Sequence, residues 1–282
     1  MRWVICALAV FALAPRAFAD DFAVLRGTQT ATYHWGGVYG GAQGGFSSAN
    51  IDFGSAAHSQ IAFILRETAI EADQHISSWT VLPTGRANSV GVGGFIGYNS
   101  EWEDLILGLE VNYNHVSLSA SSNDSLTRSF TDSTNLPNGH HYFYTVTVGA
   151  QSSLQLTDIA ELRARAGWET GIFLPYAFAG FALGRANYLT SASVSYTAYD
   201  TPDVQTPPTP QLTPLPDLAF AATQANGQNN ALLYGFAVGL GTDVALAQNI
   251  FVRGELEYVQ FAPLNGILVS VSTARLGAGL KF

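Results

Sequence analysis

The sequence predicts an all-β fold: a transmembrane, eight-stranded, antiparallel up-and-down β-barrel with long extracellular loops and short periplasmic turns. Three observations predict it. Apolar residues alternate with polar or small ones along several segments, which is the pattern of strands that present two unlike faces. No internal apolar run is long enough to form a membrane helix. The last segment, Thr273 to Phe282, alternates in the same way and closes on an aromatic residue.

Composition favours a membrane barrel over a soluble all-β sandwich. Hydrophobic residues make up 48% of the 282 residues and charged residues only 12%, against roughly 25% charged residues in ordinary soluble domains. Mean hydropathy is nevertheless only +0.16, because each strand of a membrane barrel is apolar on alternate residues alone. The formal net charge of −9, without a basic patch, argues against nucleic acid as a partner.

The first residues have the features of a secretory signal. Arg2 supplies the positive charge, Val4 to Leu13 the apolar core, and Ala17 to Ala19 an A-x-A cleavage site. The single cysteine, Cys6, leaves with the signal. We expect three segments along the chain: a cleaved signal peptide at 1–19, a short tail at 20–32 and the barrel domain at 33–282. Export and a barrel together predict the outer membrane of a Gram-negative type of cell envelope.

Eight alternating segments are predicted as strands: Trp35–Phe46, Asn88–Asn99, Asp104–Val116, Tyr142–Trp168, Phe173–Tyr188, Ala231–Ala245, Ile250–Phe261 and Thr273–Phe282. Tight turns are predicted near Ser100, Thr170 and Gln248. Four external loops are predicted. Three are long, namely Ser47–Ala87 with a short helix, Ser117–His141 and the proline-rich Leu189–Asn230, and one is short, near Pro263–Gly266. Short turns that alternate with longer loops are typical of outer-membrane barrels.

The segment Tyr142 to Trp168 is longer than the roughly 9–11 residues that a tilted strand needs to cross a bilayer. Most of its apolar residues lie on even-numbered positions, and this phase holds for a long way along the segment. Either one strand projects far above the membrane, or Thr157–Asp158 divides it into two. We favour a single strand, because it keeps the number of strands even.

Two segments resemble a known family. The stretch Trp35–Phe46, WGGVYGGAQGGF, opens on an aromatic residue and continues rich in glycine, and Leu162–Trp168 reads LRARAGW. A short turn and the run Ile172–Tyr176, IFLPY, follow. This order resembles the outer membrane immunogenic proteins, which are small-barrel surface-antigen porins of the OmpA/OmpX-like eight-stranded type. The resemblance covers essentially the whole mature chain and implies a surface protein with a porin-like or structural and antigenic role.

Strand parity places eight charged residues on the inner face of the barrel: Glu110, Glu161, Arg163, Arg165, Arg253, Glu255, Glu257 and Arg275. On the lipid face, an arginine would cost about 2–4 kcal/mol at the bilayer midplane. The interior of an eight-stranded barrel is just wide enough for side chains to fill it. The sequence leaves open whether these charges form a structural ion-pair core or line a narrow polar path for small solutes.

Nothing in the sequence predicts a catalytic site, a metal site or a cofactor. His140 and His141 are adjacent, so in a strand they face opposite ways, and no cysteine or carboxylate lies at ligand spacing. No G-x-S-x-G element is present. We therefore expect the protein not to be an enzyme.

The closing strand is predicted to carry the assembly signal, formed by its apolar face: Ala274, Leu276, Ala278, Leu280 and Phe282. The expected partners are outer-membrane lipid and lipopolysaccharide, and the barrel-assembly machinery during insertion. Three functions stay open: a porin-like surface barrel that passes small solutes, an adhesin-like protein whose loops bind host or matrix molecules, and an outer-membrane lipid-modifying enzyme.

Overall fold

The computed structural model describes residues 33–79, 81–132, 140–202, 213–214 and 219–282. The expected signal peptide at 1–19, with Cys6, and the expected tail at 20–32 lie outside the described residues. The core of the proline-rich segment, 203–212 and 215–218, also lies outside them.

Eight long strands are described: β1 (Gly37–Asp52), β2 (Gly85–Trp102), β3 (Leu105–Asp132), β4 (His140–Trp168), β5 (Phe173–Pro202), β7 (Phe220–Ala247), β8 (Ile250–Phe261) and β9 (Leu268–Lys281). A two-residue strand, β6 (Thr213–Pro214), pairs with the end of β5. Each neighbouring pair in the ring is antiparallel, and β9 pairs with β1 from Asp52 opposite Leu268 to Tyr39 opposite Lys281. The predicted eight-stranded antiparallel barrel is confirmed.

A band of apolar side chains covers the outer wall at the end of the barrel that carries the short turns. We call this band the belt. Trp102 and Trp168 mark its lower edge, and Tyr113 and Tyr234 mark its upper edge. Between them lie outward-facing residues of neighbouring strands: Leu107, Leu109, Val111, Leu162, Phe181, Leu183, Phe236 and Leu276. Such an apolar band with aromatic borders is the lipid-facing surface of an outer-membrane barrel. Within the described residues, the helices are too short or too polar to cross a bilayer.

Four strands continue far above the belt, so two predicted loops are much too long, and the predicted loop Ser47–Ala87 is also shorter because β1 runs to Asp52 and β2 begins at Gly85. Strand pairing between β3 and β4 runs on to Asp132 opposite Tyr142, so most of the predicted loop Ser117–His141 is strand. Pairing between β5 and β7 likewise runs on to Tyr196 opposite Phe220, so most of the described part of the predicted loop Leu189–Asn230 is strand. We call the upper parts of β3, β4, β5 and β7 the extracellular sheet.

β4 is a single strand, as we favoured, but it contains a β-bulge at Thr157. Above the bulge, the even-numbered Leu154 and Leu156 are buried inside the molecule. Below it, the even-numbered Leu162 faces outward and the odd-numbered Arg163 faces inward. One extra residue therefore moves the even-numbered positions from one face of the strand to the other. The even-numbered apolar residues line a core above Thr157 and face lipid below it.

The segment between β1 and β2 closes the inner side of the extracellular sheet. It contains two short helices, α1 (His58–Ile64) and α2 (Ala69–Gln74), so the predicted loop helix is present as two pieces. Thr68 caps α2 by accepting a hydrogen bond from the backbone N–H of Glu71 at 3.4 Å. The apolar side chains of this segment pack with those of the sheet in one core, which includes Ile61, Leu65, Ile76, Trp79, Leu118, Val146, Val148, Leu154 and Val194.

Candidate functional site

The lumen of the belt holds the charged residues that the sequence singles out. All eight lie inside the barrel, and each is at most 6% exposed: Glu110, Glu161, Arg163, Arg165, Arg253, Glu255, Glu257 and Arg275. They come from β3, β4, β8 and β9, whose inward positions converge on one axis. The structure adds Asp243 of β7, which is 2% exposed.

Asp243 is absent from the predicted set, although the same parity rule identifies it. In β7 the even-numbered apolar residues, such as Phe236 and Val238, face outward. An odd-numbered residue of the same strand, as Asp243 is, must therefore face the lumen. The residue was missed because it lies at the end of the predicted strand, close to a turn.

Arg163 contacts four carboxylates across the lumen. Its Nε donates a hydrogen bond to Glu110 Oε1 at 3.0 Å, and its Nη2 donates to Glu255 Oε1 at 2.8 Å. Its Nη1 donates to Glu257 Oε2 at 3.2 Å and lies 3.5 Å from Glu161 Oε2. One guanidinium thus ties β3, β4 and β8 together, and removal of its charge would leave buried carboxylates without compensation.

A second group of contacts centres on Asp243. Its Oδ1 accepts a hydrogen bond from Arg253 Nε at 2.8 Å, and its Oδ2 accepts one from Arg165 Nη2 at 2.7 Å. Arg253 Nη1 also donates to Glu110 Oε2 at 2.8 Å, where the hydroxyl of Tyr39 donates at the same distance. Glu110 therefore joins this group to the contacts of Arg163.

The upper end of the cluster contains Arg275. Its Nη2 forms an ion pair with Glu257, and its Nη1 donates a hydrogen bond to Asn112 Oδ1 at 3.3 Å. Above it, Gln43 Nε2 donates to Asn114 Oδ1 at 2.7 Å. A cavity of about 10 Å³ lies between these groups and Glu161. That volume suffices for about one water molecule.

Aromatic rings pack directly on the arginines. The guanidinium carbon of Arg163 lies 4.2 Å from the ring centre of Phe178, and that of Arg253 lies 4.0 Å from the ring centre of Phe95. The strand next to the Phe178 ring has no room for a side chain at the point of contact. A Cβ on Gly239 would come within 2.3 Å of the Phe178 ring, so only glycine fits at this position. Cation–π contacts of this kind stabilise arginines that are removed from water.

The arrangement fills the lumen instead of opening it. Five carboxylates and four guanidiniums form ion pairs with one another, and all of these side chains are almost completely buried. Above them comes a layer of buried apolar side chains, among them Leu118, Leu156, Ile159 and Phe261. Chemically, the cluster can bind the strands together and give β4 a fixed register.

The other residues of interest lie away from the lumen. The predicted assembly signal is on β9, where Ala274, Leu276, Ala278 and Leu280 face outward. Phe282 follows β9, is 80% exposed, and its backbone N–H donates to Val38 O at 2.9 Å. His140 and His141 open β4 at the extracellular end. Among the described residues, no group of three or more His, Cys, Asp or Glu side chains is arranged to hold a metal ion.

Comparison with known proteins identifies the family. The description "Outer membrane protein beta-barrel domain" matches residues 4–282. No curated protein sequence matches the chain.

Among solved structures, the chain is similar to Ail, the attachment invasion locus protein of Yersinia pestis, with 12% identity over 87% of this chain and 99% of that chain and a TM-score of 0.31. Neisserial surface protein A has 11% identity over 87% and 97%, with a TM-score of 0.34. OprG of Pseudomonas aeruginosa has 10% identity over 89% and 98%, with a TM-score of 0.31. Because the family description spans nearly the whole chain, the protein belongs to the outer membrane protein β-barrel domain family.

Proposed function

We propose that the barrel is a non-conducting membrane anchor and that the protein acts at the cell surface through its extracellular sheet. The observation that carries this proposal is the length of four strands. β3, β4, β5 and β7 continue above the belt as fully paired strands, and they have an apolar core of their own. A barrel that served only as a pore or as a membrane plug has no need of an ordered sheet outside the bilayer.

The packed lumen supports an anchor over a path for solutes. A hydrophilic channel leaves its charged side chains in contact with water, whereas Glu110, Arg163 and Arg253 are each at most 2% exposed. Opening a path would require separating ion pairs such as that between Arg163 and Glu110. Loss of one partner of such a buried pair typically costs about 3–5 kcal/mol.

The outer face of the extracellular sheet supports recognition by hydrogen bonds. Its outward positions at 119–131, 143–155, 189–199 and 221–227 carry no charged residue, and serine and threonine predominate. Two hydroxyl pairs link β3 and β4, Thr127 with Thr147 at 2.9 Å and Ser129 with Thr145 at 3.1 Å. A broad surface of neutral hydroxyls suits a neutral, hydroxyl-rich partner such as an uncharged polysaccharide of the host or the surrounding matrix.

The first test is conductance. Purified barrel reconstituted in planar bilayers should give no single-channel steps, while a large porin in the same bilayers serves as the positive control. Regular steps from the wild-type protein would contradict the anchor proposal and favour passage of small solutes.

The second test shortens the extracellular sheet without altering the belt. Strand register allows Asp124–Ala150 to be replaced by a tight turn between Asn123 and Gln151, which pair directly. Cells that display this variant should lose binding to immobilised neutral polysaccharides. Binding by wild-type cells should change little with added salt, because charge plays no part. Equal binding by both strains would exclude the sheet as the recognition surface.

A further inference from the structure

A cavity of about 900 Å³ forms a groove on the outer wall of the belt. Its walls are almost entirely apolar, and its volume falls in the range of about 300–1,000 Å³ that is typical of ligand sites. Bulky outward side chains, including Phe181, Tyr234 and Phe236, stand around the small Ala160. Because these side chains belong to the belt, the groove opens to the membrane.

Strand register places a cation directly above this groove. Leu183 and Ala160, which line the groove, are paired with each other, and the next outward residues above them are Arg185 and Asp158, which are also paired. A step of two residues along a strand is about 7 Å. Arg185 therefore lies at the upper edge of the belt, level with the membrane surface on the extracellular side.

Arg185 retains donors for a ligand. Its side chain is 60% exposed, and its Nη1 lies 3.8 Å from Asp158 Oδ2, beyond hydrogen-bond distance. The oxygens of Asp158 are occupied by other donors: Oδ1 accepts from the Tyr113 hydroxyl at 2.6 Å, and Oδ2 accepts from Thr157 Oγ1 at 2.7 Å. His115 Nδ1 lies 2.9 Å from Asp158 Oδ1, and its ring is exposed as well. The carboxylate of Asp158 is therefore hydrogen-bonded by its own neighbours, and its 3.8 Å ion pair with Arg185 leaves the exposed guanidinium with donors for a ligand.

We propose that the groove and Arg185 form a binding site for lipopolysaccharide of the surrounding leaflet. One acyl chain lies in the groove between Phe181 and Tyr234, and a phosphate of the glycolipid accepts hydrogen bonds from Arg185. The extracellular leaflet of a Gram-negative outer membrane consists mainly of this phosphorylated, multiply acylated glycolipid, which combines the two chemistries that the site offers. Arginine suits phosphate because its planar fork can donate two parallel hydrogen bonds.

The experiment measures lipid retained by purified barrel in mild detergent, by native mass spectrometry, after titration with purified lipopolysaccharide. Arg185→Gln should weaken binding about tenfold, which corresponds to about 1.4 kcal/mol. Ala160→Phe, which fills the groove without adding charge, should weaken binding similarly. The matched control is Arg86→Gln, which removes an exposed arginine of β2, opposite Asn50 and three strands away around the ring. It should bind as wild type does. A shift between boiled and unboiled samples on a gel shows that each variant is folded.

Two results would overturn the proposal. One is equal binding of lipopolysaccharide by wild type, Arg185→Gln and Ala160→Phe. The other is an equal affinity for phosphatidylglycerol with the same dependence on Arg185, because the site would then select any anionic lipid and not the glycolipid.

Discussion

The belt and the extracellular sheet are two halves of one barrel wall with opposite chemistry. In the belt, the inner side is charged, as at Glu110 and Arg163, and the outer side is apolar, as at Leu109 and Leu162. In the extracellular sheet, the inner side is apolar, as at Leu154, and the outer side carries hydroxyls and amides. The difference shows that the solvent outside the wall decides which face is apolar: lipid surrounds the belt, and water surrounds the sheet.

The strands achieve this inversion in two ways. In β3 the apolar residues change parity along the sequence, from the outward Val111 and Tyr113 to the inward Val116 and Leu118. In β4 the apolar residues keep their parity, and the bulge at Thr157 turns the backbone over instead. Neighbouring ladders are irregular at the same height, between β3 and β4 and between β5 and β7. The strand pairing is therefore irregular in one row across these strands, at the height where the surroundings of the wall change from lipid to water.

The largest effect is expected from deletion of Thr157. Without the extra residue, the upper part of β4 would point its apolar side chains outward, because the belt fixes the lower part in lipid. Each of Val146, Val148, Leu154 and Leu156 would lose about 1.5–3 kcal/mol of burial, about 6 kcal/mol or more in total. Limited proteolysis should cleave the extracellular sheet while the belt still shifts on gels after boiling.

The matched control for this deletion is Thr157→Ala, which keeps the residue count. It removes the hydrogen bonding of Thr157 Oγ1 with Asp158 Oδ2 and with the backbone oxygen of Arg185, and a typical hydrogen bond is worth about 0.5–1.5 kcal/mol. If the deletion variant resists proteolysis as well as Thr157→Ala does, the bulge does not set the orientation of the upper strand.

The next largest effect concerns the lumen. Arg163→Leu leaves four buried carboxylates without their shared cation, so the free energy of unfolding in urea should fall by about 3–5 kcal/mol. The control is Arg185→Leu, whose exposed ion pair with Asp158 should contribute about 0–1 kcal/mol. Equal urea midpoints for Arg163→Leu and wild type would mean that the lumen charges do not hold the belt together.

A somewhat smaller effect tests the core of the extracellular sheet. Leu154→Ala should lower the free energy of unfolding by about 2–5 kcal/mol, because Leu154 is buried and the cavity cannot collapse completely. Gln155→Ala changes the exposed neighbour and should stay within about 0.5 kcal/mol of wild type. Similar losses from both variants would show that the inner face of the sheet is not a packed core.

The sequence predicted the belt better than the extracellular sheet, for a physical reason. Strands in lipid need an unbroken apolar face, so alternation such as that from Leu105 to Tyr113 is unmistakable, and parity alone locates Glu110 and Arg163. Above the belt, Ser117–Asp132 has the polar composition of a loop, and only tertiary pairing makes it a strand. The bulge at Thr157 needs no glycine or proline, and it preserves the even-numbered apolar pattern of β4. The sequence marks the position only by the polar pair Thr157–Asp158, which indicates a possible break and not a bulge within one strand.

The smallest effect on stability is expected at Phe282. Its ring is the last apolar group of the belt, and its loss should cost at most about 1.5–3 kcal/mol. Phe282→Ala retains the backbone hydrogen bond to Val38, so refolded variant in detergent should melt close to wild type. Cellular levels in the outer membrane should nevertheless fall sharply if the ring is part of the assembly signal. Unchanged levels would remove this residue from the signal.

Spin labelling along β4 tests the inversion most directly. Single cysteines are introduced at positions 152–156 and 160–164 of a chain in which Cys6, its one natural cysteine, is replaced by serine. Each label is probed with a water-soluble nickel complex and with oxygen. Above Thr157, the inversion predicts that odd positions contact the nickel complex and even positions contact neither reagent. Below Thr157, it predicts that even positions contact oxygen from the lipid and odd positions contact neither reagent. A single parity of accessibility through both stretches would contradict the inverted halves.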